Sequence, residues 1–248
     1  IIQETPWLRD AQSETEQKKR IALLFDLNKM KNEQERSMNK LQNMQMSNGG
    51  FPWFKGGDYP NRYITQHIVS GFRHLKQLGI RDFDNNTKRM LIEAIQFLDM
   101  EIEEQYLDLL KRADQIKVKN GNKKYEAYLK QNHLNYFIIQ YLYMRSFYTD
   151  ITLVPKIKTI VEYYKNQTSK YWNDYNLSAK AQIALTHFRA GNKTISNKIL
   201  TSLKENSISS EELGMYWKSN KPSWYWYQSP IETQALLIEA FSEIENDT

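Results

Sequence analysis

Apolar residues recur at steps of three and four along most of this chain, and the clearest run lies between Arg62 and Gly79. There Ile64, Ile68, Phe72, Leu75 and Leu78 keep that spacing, which predicts an amphipathic helix of about four turns with Gly79 as its stop. The residues before it read Asn48-Gly-Gly-Phe-Pro-Trp-Phe-Lys-Gly-Gly57. Two glycine pairs and a proline set among large rings cannot be helical, so a ring-bearing loop leads straight into a core helix.

The same periodicity predicts helices elsewhere. Ser13-Glu-Thr-Glu16 has the spacing of a capping box, followed by an apolar stripe of Ile21, Leu24, Phe25 and Leu27 to Met30. A second helix over about 32–46 uses Met38, Leu41 and Met44, and the two are expected to form an antiparallel hairpin. From Asp84 to Ala113 the pattern is unbroken, longer than an ordinary globular helix, so a break is expected near Met100 to Glu104. Lys117 to Lys124 reads as a basic turn, with helices following at about 123–131 and 133–148. Pro155 opens another, to Gln167. Helices at about 176–190 and 193–205 meet at Gly191-Asn192, a short helix follows Ser207 to Ser210, and the last runs to about Glu245 after an aromatic segment over 216–228. No run alternates apolar and polar residues for long enough to argue for a sheet. The expected class is all-α, in one domain over 1–248, because no linker rich in Pro, Gly or Ser divides the chain.

A unit of loop, ring, then glutamine early in an apolar helix recurs. Tyr171-Trp172-Asn173 precedes Gln182, and Trp224-Tyr-Trp226 precedes Gln234, with Asn135 to Gln140 as a version without tryptophan. Gln66, Gln140, Gln182 and Gln234 are 74, 42 and 52 residues apart, about one or two helical hairpins per interval, which points to a repeat architecture. Hairpins stacked in an arc or closed into a ring make an α/α toroid, with alternate helices lining the centre and the leading loops gathered at one mouth.

Composition narrows the chemistry. Aromatic residues make up 13% of the chain, including 16 Tyr and 6 Trp, so the rings must fill a core or line a surface. A net charge of +5 is spread among interspersed acids and bases, which gives no nucleic-acid footprint. The absence of cysteine excludes disulfides, thiolate metal sites, a cysteine nucleophile and a thioester within these residues. No apolar run approaches the ~18 residues of a membrane span. The chain begins Ile1-Ile2-Gln3 without an initiator methionine, which gives the expectation of a piece excised from something longer.

Candidate surface or funnel residues are Trp53, Phe54, Arg62, Tyr63, Trp172, Trp217, Trp224 and Trp226, with the polar Thr65, Gln66, Glu232, Thr233 and Gln234 at the helix starts. The rings suit sugar stacking or contact with a neighbouring domain, but they equally suit a plug that holds hairpins together. Early Thr and Gln side chains serve either as inward polar groups or as caps and inter-helix hydrogen bonds. Asp58, Asp174, Glu232 and Glu239 are the carboxylates near rings; Glu232 and Glu239 share a helix face, yet none forms a pair with diagnostic glycosidase spacing. Neither glycine run has phosphate-loop spacing, no two histidines form a metal motif, and no cofactor is expected.

Asn48 to Gly57 with Arg62-Tyr-Ile-Thr-Gln66, Tyr171-Trp172, Gly214-Met-Tyr-Trp-Lys218, Trp224 to Gln228, and Pro230-Ile-Glu-Thr-Gln-Ala-Leu-Leu-Ile-Glu-Ala-Phe241 resemble bacterial alpha-2-macroglobulin family proteins. Ala11 to Asp26 and Tyr141 to Phe147 resemble the version in large Bacteroidetes members. Nearly the whole chain is covered. The resemblance implies the α/α toroid of the terpenoid cyclase and complement thioester-domain type, in an incomplete form lacking the first and last hairpins. It also implies an exported periplasmic or cell-surface parent, in some members lipid-anchored, acting as an endopeptidase inhibitor. Its partners would be proteases and neighbouring domains of the same chain, and the fragment itself would not be an enzyme. In the family a Cys-Gln thioester acylates the attacking protease; no thioester residue can be carried over here. Some members use a toroid histidine to speed transfer, for which His133 is the candidate among His67, His74, His133 and His187. Two further readings remain: a carbohydrate-active toroid with Trp53, Trp172 and Trp224 as subsites and Asp58 or Glu232 as acid or base, and a docking module for a cell-envelope partner.

Overall fold

Asparagine caps set where the helices of this chain begin. The computed structural model describes residues 15, 16, 18, 19, 22, 27–80, 82–225 and 229–245. These contain α1 (Leu27–Met44), α2 (Arg62–Gln77), α3 (Asn85–Asn120), α4 (Asn122–Leu129), α5 (Tyr136–Ser146), α6 (Pro155–Tyr171), a 3-10 turn (Trp172–Asp174), α7 (Leu177–Arg189), α8 (Lys193–Glu205) and α9 (Pro230–Glu245), plus strands β1 (Ile208–Ser210) and β2 (Gly214–Tyr216). The fold is all-α, 71% helical, and the described residues hold a single two-stranded sheet. Asn61, Asn135, Asn176 and Asn192 each accept a hydrogen bond from a backbone N–H of the first turn of α2, α5, α7 and α8, and Asp84 does the same for α3. Each cap satisfies a donor that would otherwise be orphaned, worth about 1 kcal/mol.

Two layers follow. In the first, α2 touches α5, α5 touches α7, and α7 touches α9. Behind them α3 bridges α2 and α5, and α8 bridges α7 and α9. The 3-10 turn contacts both α6 and α7, and the buried Thr168 hydroxyl meets His187 Nε2 at 3.0 Å across the same pair. Helix α5 is the centre: every residue from Ile138 to Arg145 is buried, the mark of a helix with neighbours all round. Its only buried charge, Arg145, forms a hydrogen-bonded pair with Asp99 of α3 at 3.1 Å and also donates to the Tyr148 and Ile151 carbonyls. Tyr141 donates to the same carboxylate at 2.6 Å, so the ion pair is sunk with its donors satisfied.

Several expectations need correction. Helix α1 runs unbroken through residues 30–32, so the turn of the expected first hairpin is not there; the capping-box Ser13 and the stripe residues Ile21, Leu24 and Phe25 lie outside the described residues. Helix α3 is continuous over 36 residues with no break at 100–104. It contains neither Gly nor Pro, and Met90, Leu91, Ala94, Ile95, Leu98, Ile102, Leu109 and Ala113 keep one face buried as far as Ala113, beyond which its last two turns stand clear of the core. The basic turn narrows to Gly121 alone. In α2 the buried face is Thr65, Gln66, Val69, Ser70 and Phe72; Leu78 is 83% exposed and Leu75 also faces solvent. The expected short helix after Ser210 is instead the antiparallel β1–β2 hairpin, turning at Gly214 with φ +66°. No helix of the described residues is long and apolar enough to cross a membrane.

Candidate functional site

The loop over 45–61 is fixed at its base and open at its tip. Gly49 has φ +87°, and a Cβ there would stand 2.2 Å from the Glu93 carbonyl of α3; one on Gly50 would stand 2.5 Å from Pro60. The Gly-Gly pair is thus what lets this backbone lie against α3. Gln45 Nε2 donates to the Gly49 and Met90 carbonyls. Phe51 is fully buried, its N–H donates to Thr65 Oγ1 at 2.9 Å, and its carbonyl accepts the Asn61 N–H at 2.7 Å. Pro52 pairs with Pro60, and beyond that clasp Trp53, Phe54 and Tyr59 stand exposed.

A cleft of about 690 Å³ lies between α2, α5, α7 and α9, lined among others by Tyr63, His67, His74, Gln140, Gln182 and Glu232. Trp53 leans toward its rim, with its ring 6.1 Å from that of Tyr63. At one end of the cleft Glu239 of α9 accepts from Arg189 Nη2 of α7 at 2.7 Å and from the Tyr143 hydroxyl of α5 at 2.8 Å, and stands 3.3 Å from His74 Nε2 of α2. Arg189 also holds Glu243 through Nε and Nη2 at 2.7 and 2.6 Å, and lies over the Phe147 ring at 3.7 Å. First and last helices of the row, 165 residues apart, thus meet across the cleft. Burial would raise the Glu239 carboxyl, but hydrogen bonds from His74 and Tyr143 and the charge of Arg189 hold it below its ordinary value. Burial together with the Glu239 charge pushes the Tyr143 phenol far up, so it stays a donor. This network ties four helices together and leaves every charge in it paired.

The expected site residues separate. Tyr63 and Glu232 line the cleft. Trp53 and Phe54 are on the loop tip, and Trp224 is fully exposed; Trp226 lies outside the described residues. Trp172 is 8% exposed, with Lys180 Nζ over its ring at 5.5 Å, and Trp217 is buried with its indole N–H on the Leu203 carbonyl, so these two rings belong to the core and offer no stacking face. Thr65 and Gln66 are fully buried; Gln66 Nε2 donates to Gln140 Oε1 at 2.7 Å between α2 and α5. Thr233 is buried away from the cleft, beside Asn220, and Gln234 Nε2 holds the β2 carbonyl of Met215. Arg62 turns to α3, donating to Gln105 at 2.7 Å. His133 donates or accepts nothing toward the central cleft; its Nε2 is 2.6 Å from the Tyr128 carbonyl and its backbone N–H donates to Gln167. His187 is buried, and desolvation with the nearby Lys165 charge lowers it to about 4, so it is neutral. Asp58 is exposed on the loop, and Asp174 is exposed at the end of the 3-10 turn.

Sequence reasoning missed Tyr143, Arg189 and Glu243. The available signal was the Glu239/Glu243 pair, like charges one turn apart on the same helix, which calls for a cation opposite. A scan against protein-family models and searches among curated proteins and solved structures find no match to this chain.

Proposed function

We propose that this chain is a scaffold domain of the α/α-toroid type from an alpha-2-macroglobulin-like protease trap of the cell envelope. The observation that carries the reading is the layered arrangement of α2, α5, α7 and α9 around one cleft, with α3, α6 and α8 behind, together with the Asn48 to Gly57 loop at its head. Alternation of inner and outer helices is what a toroid requires. The resemblance of the motifs quoted above supports the choice of family, and the thioester of such a trap would belong to sequence outside these residues. In this role the cleft network is a brace: it fixes α2 to α9 so that the wall keeps its shape when the parent rearranges. The exposed Trp53, Phe54 and Tyr59 tip would seat against a neighbouring domain, since rings on a clasped loop lose little entropy on docking.

The test is protease challenge of the full-length gene product. The reading expects the bound protease to keep its activity on small peptides while losing it on large proteins, and expects methylamine to raise the intact mass by one amine where the parent carries a thioester. Protease activity that is unchanged on both substrate sizes would overturn it. A second reading, glycan binding, is favoured by one observation, the exposed Trp53 next to Tyr63 at a cleft that also holds Glu232. Titration with an oligosaccharide panel, read by quenching of Trp53 and its loss in Trp53→Ala, decides that reading.

A further inference from the structure

A second cavity of about 250 Å³ opens between α3, α4, α6 and the turn over 130–135. Gln105, Asp108, Leu109, Arg112, Tyr128, His133, Asn135 and Tyr164 line it. Tyr164 is fully buried, yet its hydroxyl has no hydrogen-bond partner. Arg62 joins the same wall through Gln105, at 2.7 Å from Nη1, and spends Nε on Gln66; its Nη2 is buried and unpartnered. Glu101 is the acid whose charge acts on Arg62 most strongly, but no carboxylate of the described residues reaches ion-pair distance of that guanidinium. A buried cation without a counter-ion and a buried phenol without a partner are each costly and uncommon. Tyr164 lines the cavity, and Arg62, which does not line it, stands behind Gln105 close enough for its charge to act on the Tyr164 phenol; together they ask for an acceptor that carries negative charge.

We propose that this cavity binds a small oxyanion, a carboxylate or a phosphate, held by Arg62 Nη2 and the Tyr164 hydroxyl. Its volume exceeds the ~30 Å³ share of a single water. Further donors stand in the wall: Gln105 Oε1 accepts from Arg62 and Asn135 Oδ1 accepts from the Ile138 N–H, so in each case the amide N–H₂ is the group left to give. Arg112 stands against the Asp108 charge at the exposed rim. Phe137 closes the other side of the guanidinium, 6.0 Å from Arg62 Cζ. The planar fork of arginine suits the two oxygens of a carboxylate or phosphate. This assignment is independent of the scaffold reading, since it would stand in a trap, a glycan binder or a docking module alike.

Thermal unfolding of the whole protein in acetate and in inorganic phosphate, each titrated against chloride at constant ionic strength, tests the assignment. A saturable rise of Tm is expected with one of the two, and which one rises identifies the anion. Tyr164→Phe keeps the shape and removes the donor; it should weaken that anion about tenfold or more, the scale of one hydrogen bond to a charged group. Arg62→Gln should abolish the rise. Should Arg62→Gln fail to fold, the Tyr164→Phe titration still decides. The proposal is overturned if neither anion raises Tm beyond chloride, or if the rise is the same in wild type and Tyr164→Phe.

Discussion

Arg189 and Arg62 both carry a guanidinium into the interior, and their surroundings differ in kind. Arg189 faces Glu239 and Glu243, a ring from Phe147 and the hydroxyl of Ser146 at 3.3 Å. Arg62 has two glutamine oxygens and one buried nitrogen without a partner. The first is a finished structural pair, whose geometry repays the cost of desolvation. The second is a charge kept inside without its complement, which is the usual condition of a group reserved for a ligand. Burial alone therefore does not separate structure from function; the completeness of the partner set does.

That contrast can be broken by substitution. The largest expected loss is at Arg189: Arg189→Met leaves two largely buried carboxylates without their cation and should cost about 3–5 kcal/mol in urea unfolding. Next comes acid. His187 is neutral in the fold at a value of about 4, against an ordinary 6.5, so below pH 6.5 the unfolded chain takes up a proton that the fold refuses. The His187 share of stability should fall by about 3 kcal/mol as pH drops from about 6.5 to 4, and below that the protonation of paired carboxylates such as Glu239 lowers stability further. His187→Gln should flatten that slope when unfolding is measured at pH 7, 5.5 and 4.5. Gly49→Ala, forced into a left-handed backbone against the Glu93 carbonyl, should cost about 2 kcal/mol or more by the same measurement. Arg62→Met should be near neutral in chloride buffer, because the ~1–3 kcal/mol of an unpaired Gln66 oxygen is offset by removal of an unpaired buried charge. Smallest is Trp53→Ala, at the 57% exposed loop tip, within about 0.5 kcal/mol, so any functional loss there would be contact with a partner.

Much of the frame was legible in the chain. Pro155, Gly79 and Gly191-Asn192 mark helix ends that the structure keeps, and the glycine pairs mark the loop that leads into α2. Gln66 and Gln140 proved to be an inter-helix pair, as one of the two readings of the repeat expected. Hydrophobicity misled at α2, where Thr65 and Gln66 are more deeply buried than Ile64 and Ile68, because their side chains replace water by hydrogen bonds to the loop and to α5. Length misled at α3, whose buried stripe carries it past the size of an ordinary helix. Strands of three residues are too short to show alternation, so the β1–β2 hairpin was invisible. The brace of His74, Tyr143, Arg189 and Glu239 draws one residue from each of four helices, and no local pattern reveals a set so dispersed. Ring type carried little positional meaning: Trp172 and Trp217 are core, Trp53 and Trp224 are surface, and nothing in their local sequence separates them.

The most direct test of the contrast is one set of urea unfolding curves for wild type, Arg189→Met and Arg62→Met in chloride buffer free of oxyanions. A loss of about 3–5 kcal/mol at Arg189 beside a change near zero at Arg62 is the predicted result. Equal losses at the two positions would contradict it, because Arg62 would then be as fully paired within the fold as Arg189.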